Sequence, residues 1–428
     1  MIKVLHLSTF HLTGGAGIAA ARLNRALNRN GVQSRLLVAK TSIEEPNVSG
    51  LDNRGAGKAF FWLRFVAERL FFLPYERSPE VRYAFSPAVA GKNLAAHELV
   101  KEADIIHLHW INFGFLSIAD IGRLLSLGKP VVWTLHDMWA FTGGCHHSGA
   151  CDHFMLSCGD CKFLKRPGKK DLSYDRLLSK KRLWKPGSGF TAVACSRWLG
   201  RRAQSGSLWR PSDVTSIPNP LDTTLFRKIE NFDRYADLGL AAGKVYILFA
   251  AAKVSAKGKG FGFLHEALRI LTRRSPEAGA KLGLLVLGAD DGGMLDDIPL
   301  EARFLGYISG DEMLVKVYNA ASLYVTPSVE DNLPNTVMEA MACGTPVVGF
   351  HTGGIPEMID HRVNGYVADY KSPESLAEGI LWVLENNAGG ALSEAARQKV
   401  LREYDEKVVA AQYHELYKNL LSGCADPA

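Results

Sequence analysis

The sequence predicts an α/β protein with two doubly wound, Rossmann-like domains that face each other across an interdomain cleft. The chain has 428 residues and 47% apolar content, which is enough for two separate cores. Continuous apolar, β-branched runs alternate with helical patterns, as in parallel sheets that are covered on both faces. These runs form two series, and each series is typical of one doubly wound domain.

The two series are separated near residues 216–226, where prolines interrupt the pattern. The predicted first domain is 1–218 and the second is 219–404, and the helix of about 405–428 is expected to pack back on the first domain. The candidate strands are 2–8, 34–40, 104–110, 130–136 and 190–196, followed by 245–252, 283–288, 322–328 and 346–350. Ligands of open α/β sheets bind at the carboxyl ends of the strands, so residues just after these strands are the candidates for function.

The net charge of +6 is unevenly distributed along the chain. Residues 1–218 contain 30 Lys+Arg and 16 Asp+Glu, a balance of +14, whereas residues 219–428 have a balance of −8. A basic first half favours an anionic partner, such as a phosphorylated substrate or a membrane surface. No nucleic-acid-binding signature accompanies it, so we expect no nucleic-acid partner.

No run reaches the ~18 uninterrupted apolar residues that a membrane-spanning helix needs. The first ten residues, MIKVLHLSTF, predict a buried strand rather than a signal peptide. We therefore expect a cytoplasmic protein, located in solution or at the inner face of the plasma membrane.

A glycine loop follows the first strand. Gly14, Gly15 and Gly17 in "STFHLTGGAGIAAARL" precede a predicted helix, and such glycines let the backbone approach an anion at the helix N-terminus. The pattern is neither a full G-x-G-x-x-G nor a P-loop. A tight strand-to-helix turn is the alternative.

Histidines end two strands of the first domain. His136 and Asp137 follow the strand in "VVWTLHD", where an imidazole is well placed to bind a substrate hydroxyl. His107 and His109 in "IIHLHW" are interpreted as structural.

A lysine-rich loop follows the first strand of the second domain. Lys253, Lys257 and Lys259 in "AAAKVSAKGKG" could neutralise a diphosphate leaving group. The alternative is a solvated loop, but the position directly after a strand favours function.

The stretch "SVEDNLPNTVMEAMACGTPVVGF" (328–350) places carboxylates around a short helix. Asp331 and Glu339 would be ~12 Å apart if the span between them were helical, which exceeds the ~5–9.5 Å of a glycosidase pair. We expect them to hold opposite ends of an extended, hydroxyl-rich ligand such as a sugar nucleotide.

This stretch resembles the signature of glycosyltransferase family 4, retaining enzymes of the GT-B fold, which has an E-x7-E motif before A-[ML]-A-C-G-T-P-V-V. The first acid of the motif is Asp331 here, one methylene shorter than Glu, unless Glu330 serves in a shifted loop. "SIPNPLDTTLF", "FLGYISGDEMLVKVYNAASLYVTPS" and "HTGGIPEMIDHRVNGYVA" are similar to further family segments, in the same order. In the family's phosphate-binding loop, Lys253 occupies the position of an arginine. A lysine ammonium carries a compact charge and lacks the paired N–H donors of a guanidinium group. The branch it most resembles serves bacterial exopolysaccharide assembly, such as colanic-acid glycosyltransferases.

The resemblance implies a site and a reaction. Glu339 would bind the ribose, Asp331 would lie near the donor sugar, and His136 would contact the transferred sugar. Lys253, Lys259 and the backbone amides of Gly353 and Gly354 would bind the diphosphate. The implied catalytic residues are His136, Asp331, Glu339 and Lys259, and the implied donor site is Gly14, Gly15, Gly17, Lys253, Lys259, Glu330, Asp331, Asn332, Leu333, Pro334, Asn335, Thr336, Glu339, Gly353 and Gly354. The resemblance also implies that catalysis needs no metal. It implies that the leaving phosphate takes the acceptor proton, which would explain why no paired general acid and base appears.

Four cysteines lie close together in "GGCHHSGACDHFMLSCGDCKFL": Cys145, Cys151, Cys158 and Cys161. The terminal C-x2-C is typical of zinc sites, although the other spacings are irregular. We expect a structural zinc here, with reduced thiols or disulfides as the alternative.

An aromatic, arginine-containing stretch at 58–77 and a strongly basic one at 162–185 suggest peripheral membrane association with a lipid-linked acceptor. A core or interdomain helix is the alternative for the first.

Together these features predict a retaining transferase that moves a sugar from a UDP- or GDP-sugar to a lipid-linked glycan in bacterial surface polysaccharide biosynthesis. A sugar-nucleotide epimerase or phosphorylase of the same fold, or an inactive glycan- or nucleotide-binding protein, are the alternatives.

Overall fold

The computed structural model describes residues 1–41, 43–51, 55–184, 190–289, 293, 297–308 and 310–423. It divides into two compact units: the first contains Met1–Pro220 and Val409–Ala428, and the second contains Leu221–Val408. The sequence placed the boundary two residues earlier. Residues 424–428 of the expected C-terminal helix, and Lys185 at the end of the basic stretch, lie outside the described residues.

The first unit is built on a parallel sheet with the order β3-β2-β1-β4-β5-β6-β7. Its strands are β1 (Lys3–Phe10), β2 (Gln33–Lys40), β3 (Val48–Gly50), β4 (Ile105–Leu108), β5 (Val131–Leu135), β6 (Phe190–Ala194) and β7 (Val214–Ser216). Its helices include α1 (Gly14–Arg29), α2 (Gly55–Phe72), α3 (Glu98–Glu102), α4 (Ile118–Leu125), α5 (Leu172–Lys181) and α6 (Arg197–Gln204). The five longer strands, β1, β2, β4, β5 and β6, are mostly buried, which explains why they appear in the sequence as continuous apolar runs.

The second unit has a parallel sheet with the order β10-β9-β8-β11-β12-β13. Its strands are β8 (Val245–Lys253), β9 (Leu282–Ala289), β10 (Glu301–Gly306), β11 (Leu323–Thr326), β12 (Val347–Phe350) and β13 (Gly365–Ala368). The helices that follow in the chain are α7 (Arg234–Leu238), α8 (Phe261–Arg274), α9 (Pro276–Lys281), α10 (Asp311–Ala320), α11 (Asn335–Ala342), α12 (Ile355–Met358), α13 (Pro373–Asn386), α14 (Ala391–Glu403) and α15 (Glu406–Gly423). Both units are therefore Rossmann-like, as predicted.

Strand order reverses once in each sheet. In the first, β1 lies between β2 and β4, and in the second, β8 lies between β9 and β11. The crevice beside such a reversal is where open α/β sheets bind ligands. The loops after β1, β4, β8 and β11 are thus the positions to inspect.

The C-terminal part of α15 completes the core of the first unit. Val409, Ala410, Tyr413 and Tyr417 are buried in one apolar cluster with residues of α1, β1, β4, β5 and β6. No helix in the described ranges is both long and apolar enough to cross a bilayer.

Four short or edge strands were absent from the sequence prediction: β3, β7, β10 and β13. β3 and β7 have only three residues each, and β10 has half-buried or exposed side chains throughout. A strand signal depends on a run of alternating or continuous apolar residues, and these segments are too short or too polar to give one.

Candidate functional site

The carboxyl ends of β8 and β11 bring together a lysine and an aspartate that are 72 positions apart. Lys259 ends the 3₁₀ turn Lys257–Lys259 after β8, and Asp331 lies in the turn between β11 and α11. The Lys259 Nζ atom is 2.7 Å from Asp331 Oδ2. The lysine side chain is 40% exposed and the aspartate 17%, so this ion pair can be reached from solvent.

Two glycines allow loops to approach this ion pair. Gly260 has a φ of 72°, and a Cβ there would lie 1.9 Å from the carbonyl oxygen of Pro327. Gly353 has a φ of 58°, and a Cβ there would lie 1.7 Å from the carbonyl oxygen of Asp331. Only glycine fits either position. The Gly354 amide donates to that Asp331 oxygen over a long 3.4 Å, so it is directed at protein rather than at an open phosphate site.

Glu339 lies inside the unit. It is on α11, 5% exposed, and its Oε2 atom accepts a 2.8 Å hydrogen bond from the Tyr318 hydroxyl. Burial, and then the neighbouring Glu339, hold the pKa of Tyr318 well above its usual range, so this hydroxyl remains a donor. A buried carboxylate with a fixed partner is held in one orientation toward whatever it binds.

The remaining predicted donor residues form the turn that leads into α11. Asn332, Leu333, Pro334 and Asn335 are buried, Glu330 is half-buried, and the Thr336 hydroxyl accepts a 2.9 Å hydrogen bond from Tyr324. Because the helix begins only at Asn335, the helical spacing used to estimate the distance from Asp331 to Glu339 does not apply. Lys253 is exposed at the end of β8.

In the first unit, the predicted glycine loop is the first turn of a helix. α1 begins at Gly14, so Gly14, Gly15 and Gly17 lie in its first turn instead of in a loop before it. A Cβ at Gly17 would lie 3.0 Å from the carbonyl oxygen of Phe10, so glycine lets the helix pack against the end of β1. Thr13 makes no side-chain cap, and the turn contains no acidic residue.

His136 is half-buried directly after β5, and its Nε2 atom is 3.1 Å from His109 Nδ1. Burial lowers its pKa to about 4, against the opposing effect of Asp137, so it is neutral near pH 7. The neighbouring Asp137 accepts hydrogen bonds from the Trp110 indole, at 2.8 Å, and from the Trp139 amide, and lies 2.6 Å from His146 Nδ1. The carboxylate is thus committed to holding the loop and does not activate His136.

Two residues that contact the predicted site were not identified from the sequence. His109 was interpreted as structural but touches His136, and Tyr318 was not singled out. The position of His109 just after β4 was the signal available for the first. Tyr318 lies on α10, far from Glu339 in sequence, and no local pattern marks it.

Two sequence models of known families match the chain. "Glycosyltransferase Family 4" matches residues 13–225, and "Glycosyl transferases group 1" matches residues 244–386, which include Lys259, Asp331 and Glu339. The chain belongs to the group 1 glycosyltransferases of GT-B fold.

Relatives of this glycosyltransferase include two proteins named D-inositol 3-phosphate glycosyltransferase. The one from Saccharomonospora viridis is 31% identical over 45% of this chain and 47% of its own length. The one from Actinosynnema mirum is 26% identical over 88% of this chain and 87% of its own. The first match therefore spans about half of that relative. The solved structure of Anabaena HepE in complex with UDP has a TM-score of 0.64 and 18% identity, covering 98% of this chain and 100% of that one, which shows the shared fold.

The four clustered cysteines of this glycosyltransferase are free thiols in the first unit. Burial raises the pKa of Cys145 to about 12 and those of Cys158 and Cys161 to about 11, which favours the protonated thiol. Among the described residues, the potential metal-ligand atoms of His6, His107 and His109 lie within 4.8 Å of one another. Within the same residues, the cysteines do not form such a group. The structural zinc expected at these cysteines, with four thiolates around one ion, stays a prediction.

Proposed function

We propose that this chain transfers a sugar from a UDP- or GDP-sugar to an acceptor, with retention at the anomeric carbon and without a metal ion. The observation that carries the proposal is the Lys259–Asp331 ion pair at the carboxyl ends of β8 and β11, followed in the chain by the buried Glu339 on α11. It lies within the segment that the group 1 model matches. The UDP complex of HepE, a protein of the same fold, supports a nucleotide donor.

Each residue of this cluster has a role that its surroundings suit. The Lys259 ammonium has three donors, so it can remain near Asp331 and also neutralise the charge that develops on a departing diphosphate. Glu339, held by Tyr318, would accept hydrogen bonds from the ribose hydroxyls. In the first unit, His136 would bind an oxygen of the transferred sugar, and the uncapped first turn of α1 would face anionic groups.

For the acceptor, we propose a lipid-linked glycan of bacterial surface polysaccharide biosynthesis, reached at the membrane surface. The outer face of α2 supports this, because Phe60, Leu63, Val66 and Leu70 recur at helical spacing and are 45–62% exposed. An apolar helix face in a strongly basic unit is suited to an anionic lipid surface. The relatives named D-inositol 3-phosphate glycosyltransferase suggest instead inositol 3-phosphate as the acceptor.

Transfer is tested with UDP- and GDP-sugars and with both acceptor types, reading the anomeric configuration of the product by NMR. Replacing Lys259 by Gln should lower kcat/KM about 10²–10³-fold, because a single oxyanion-stabilising donor typically contributes that much. Lys407→Gln, an exposed lysine of the same unit, is the matched control and should retain activity. A product with inverted anomeric configuration would contradict retention. A free sugar phosphate would indicate a phosphorylase, and an epimerised donor would indicate an epimerase. Donor binding without turnover would indicate an inactive binding protein.

Membrane association is tested by co-sedimentation with vesicles of zwitterionic or mixed anionic lipids. The Leu63→Glu, Leu70→Glu double variant should lose most of the binding to anionic vesicles, because it places negative charge on the exposed apolar face that would contact the lipid. Leu127→Glu alters an exposed leucine of the same unit outside α2 and should bind normally. Equal binding by all three proteins, or none by the wild type, would leave the soluble phosphorylated acceptor as the better proposal.

We also propose that the four cysteines hold a structural zinc. Metal analysis of the purified chain tests it, and one zinc per chain, lost in Cys161→Ser, would support it.

A further inference from the structure

Four histidines form a file on one face of the first sheet. His6 on β1 is the register partner of His107 on β4, and His109 and His136 follow at the ends of β4 and β5. Successive ring centroids are 4.5–5.4 Å apart. His6, His107 and His109 are at most 2% exposed, on the face of the sheet where apolar residues of α1 and α15 pack. Polar side chains buried in such a face are costly unless their hydrogen bonds are satisfied.

The hydrogen bonds divide the file into two separate networks. The first network contains His107, whose two ring nitrogens are each 2.7 Å from a hydroxyl oxygen, one of Thr134 and one of Tyr417. The other three imidazoles are in series: His6 Nδ1 is 2.8 Å from His109 Nε2, and His109 Nδ1 is 3.1 Å from His136 Nε2. The second network connects His6 to His136 through His109.

A series of neutral imidazoles has coupled tautomers. Burial lowers the pKa of each of these histidines, to about 3 for His6 and about 4 for His136, so each ring has one N–H near neutral pH. Each ring in the series must donate on one side and accept on the other. The proton position on His6 therefore determines that on His109, and in turn that on His136.

The direction of hydrogen-bond donation along the series is determined at its buried end, His6. The His6 Nε2 atom has no hydrogen-bond partner within the described part of the chain. Buried N–H groups without an acceptor are rare because they cost about 1–3 kcal/mol. The proton of His6 is therefore best placed on Nδ1, where it is donated to His109, which then donates from its own Nδ1 to His136.

A metal ion does not explain the cluster as well. His6, His107 and His109 have ligand atoms within 4.8 Å of one another, and the interplanar angles of their rings are 19–34°. To bind a metal ion, each imidazole must offer a nitrogen whose lone pair is not already used. Both nitrogens of His107 and both of His109 are also already hydrogen-bonded.

We propose that His109 and His6 are positioning residues that fix His136 in the Nδ1–H tautomer, so that His136 acts as a hydrogen-bond donor from Nδ1. An oxygen atom of a bound sugar is the acceptor that such a donor suits. That last step rests on the proposed function, whereas the tautomer of His136 does not.

The test is ¹⁵N NMR of the full chain with labelled histidine, recorded without donor, so that it needs no enzymatic turnover. The expected wild-type spectrum assigns His136 as Nδ1–H and shows nitrogen–nitrogen coupling between His109 Nδ1 and His136 Nε2. His6→Leu and His109→Leu should shift His136 toward the Nε2–H tautomer. His107→Leu removes an equally buried ring whose hydrogen bonds lie outside the series, and it should leave the His136 tautomer unchanged.

Three results would overturn the proposal. These are an Nε2–H tautomer for His136 in the wild type, an unchanged His136 tautomer in folded His6→Leu and His109→Leu, and loss of the nitrogen–nitrogen coupling on adding zinc. If either variant fails to fold, the wild-type tautomer and the coupling still decide. A chain with this tautomer but no transferase activity would refute the proposed function alone.

Discussion

The polar clusters of the two sheets differ in charge and in exposure to solvent. In the second unit, Lys259 and Asp331 form a charged, solvent-accessible pair. In the first unit, His6, His109 and His136 form a neutral series that is buried along most of its length. An exposed ion pair avoids much of the desolvation cost of charge and can exchange partners with an anionic ligand. A neutral, buried series cannot supply charge, but it holds one donor in a defined orientation.

This difference predicts opposite sensitivities in the two units. The second should depend on single side chains and on the glycines that bring them together. The first should depend on pH, because its histidines must stay neutral.

The largest effect is expected on mild acidification. Burial holds the pKa values of His6, His107 and His109 far below 6.5, so between about pH 6.5 and pH 4 the unfolded chain binds protons that the folded unit does not. Stability of the first unit is therefore full above pH 6.5 and falls as pH decreases, by at most ~1.4 kcal/mol per pH unit for each histidine. The described histidines of the second unit are not buried, so its stability should change little.

Hydrogen exchange of each unit at pH 7 and pH 5 measures this difference. His6→Leu should reduce the pH dependence of the first unit, since one of the histidines whose pKa is lowered by burial is removed. Equal losses in both units would contradict the comparison.

A smaller effect is expected for Gly353→Ala. The added Cβ would meet the Asp331 carbonyl and would also impose a side chain at a φ of 58°, so we expect a loss of about 2–4 kcal/mol in unfolding free energy of the second unit, together with weaker UDP binding. Chemical denaturation and calorimetry provide the two readouts. Gly389→Ala, at an exposed site with no atom within 4 Å of the added Cβ, should change neither, and a similar loss in both variants would disprove the close approach.

The smallest effect is expected for Tyr318→Phe. The substitution leaves the buried Glu339 with one donor fewer, which should cost about 1–3 kcal/mol of unfolding free energy. Tyr370→Phe removes an exposed hydroxyl that donates to the Val329 carbonyl over 3.2 Å, and it should cost less. Denaturant titrations of the two variants compare them, and equal losses would mean that the Tyr318 hydroxyl does not stabilise Glu339.

The sequence was sufficient for the fold and for the neighbourhood of Lys259 and Asp331. Buried parallel strands are visible as apolar runs, and the carboxyl-end rule then selects the loops that follow them. The carboxyl-end rule does not predict the register between neighbouring strands. The contact of His109 with His6 depends on how β1 and β4 align across a hundred residues, and no local pattern encodes that alignment. The zinc site expected at the cysteines stays a prediction for a similar reason, because cysteine spacing along the chain does not determine sulfur distances in an irregular loop.

The docking of α15 has a consequence for how the chain reaches its native state. Tyr417 and Tyr413 bond to His107 and Thr134 in the first unit, although all of the second unit lies between them in sequence. A ribosome releases the chain from its N-terminus, and domains generally fold as they emerge. The apolar residues that α15 covers in the first unit therefore stay exposed until the second unit has been synthesised. The first unit is synthesised first, but its core is completed last.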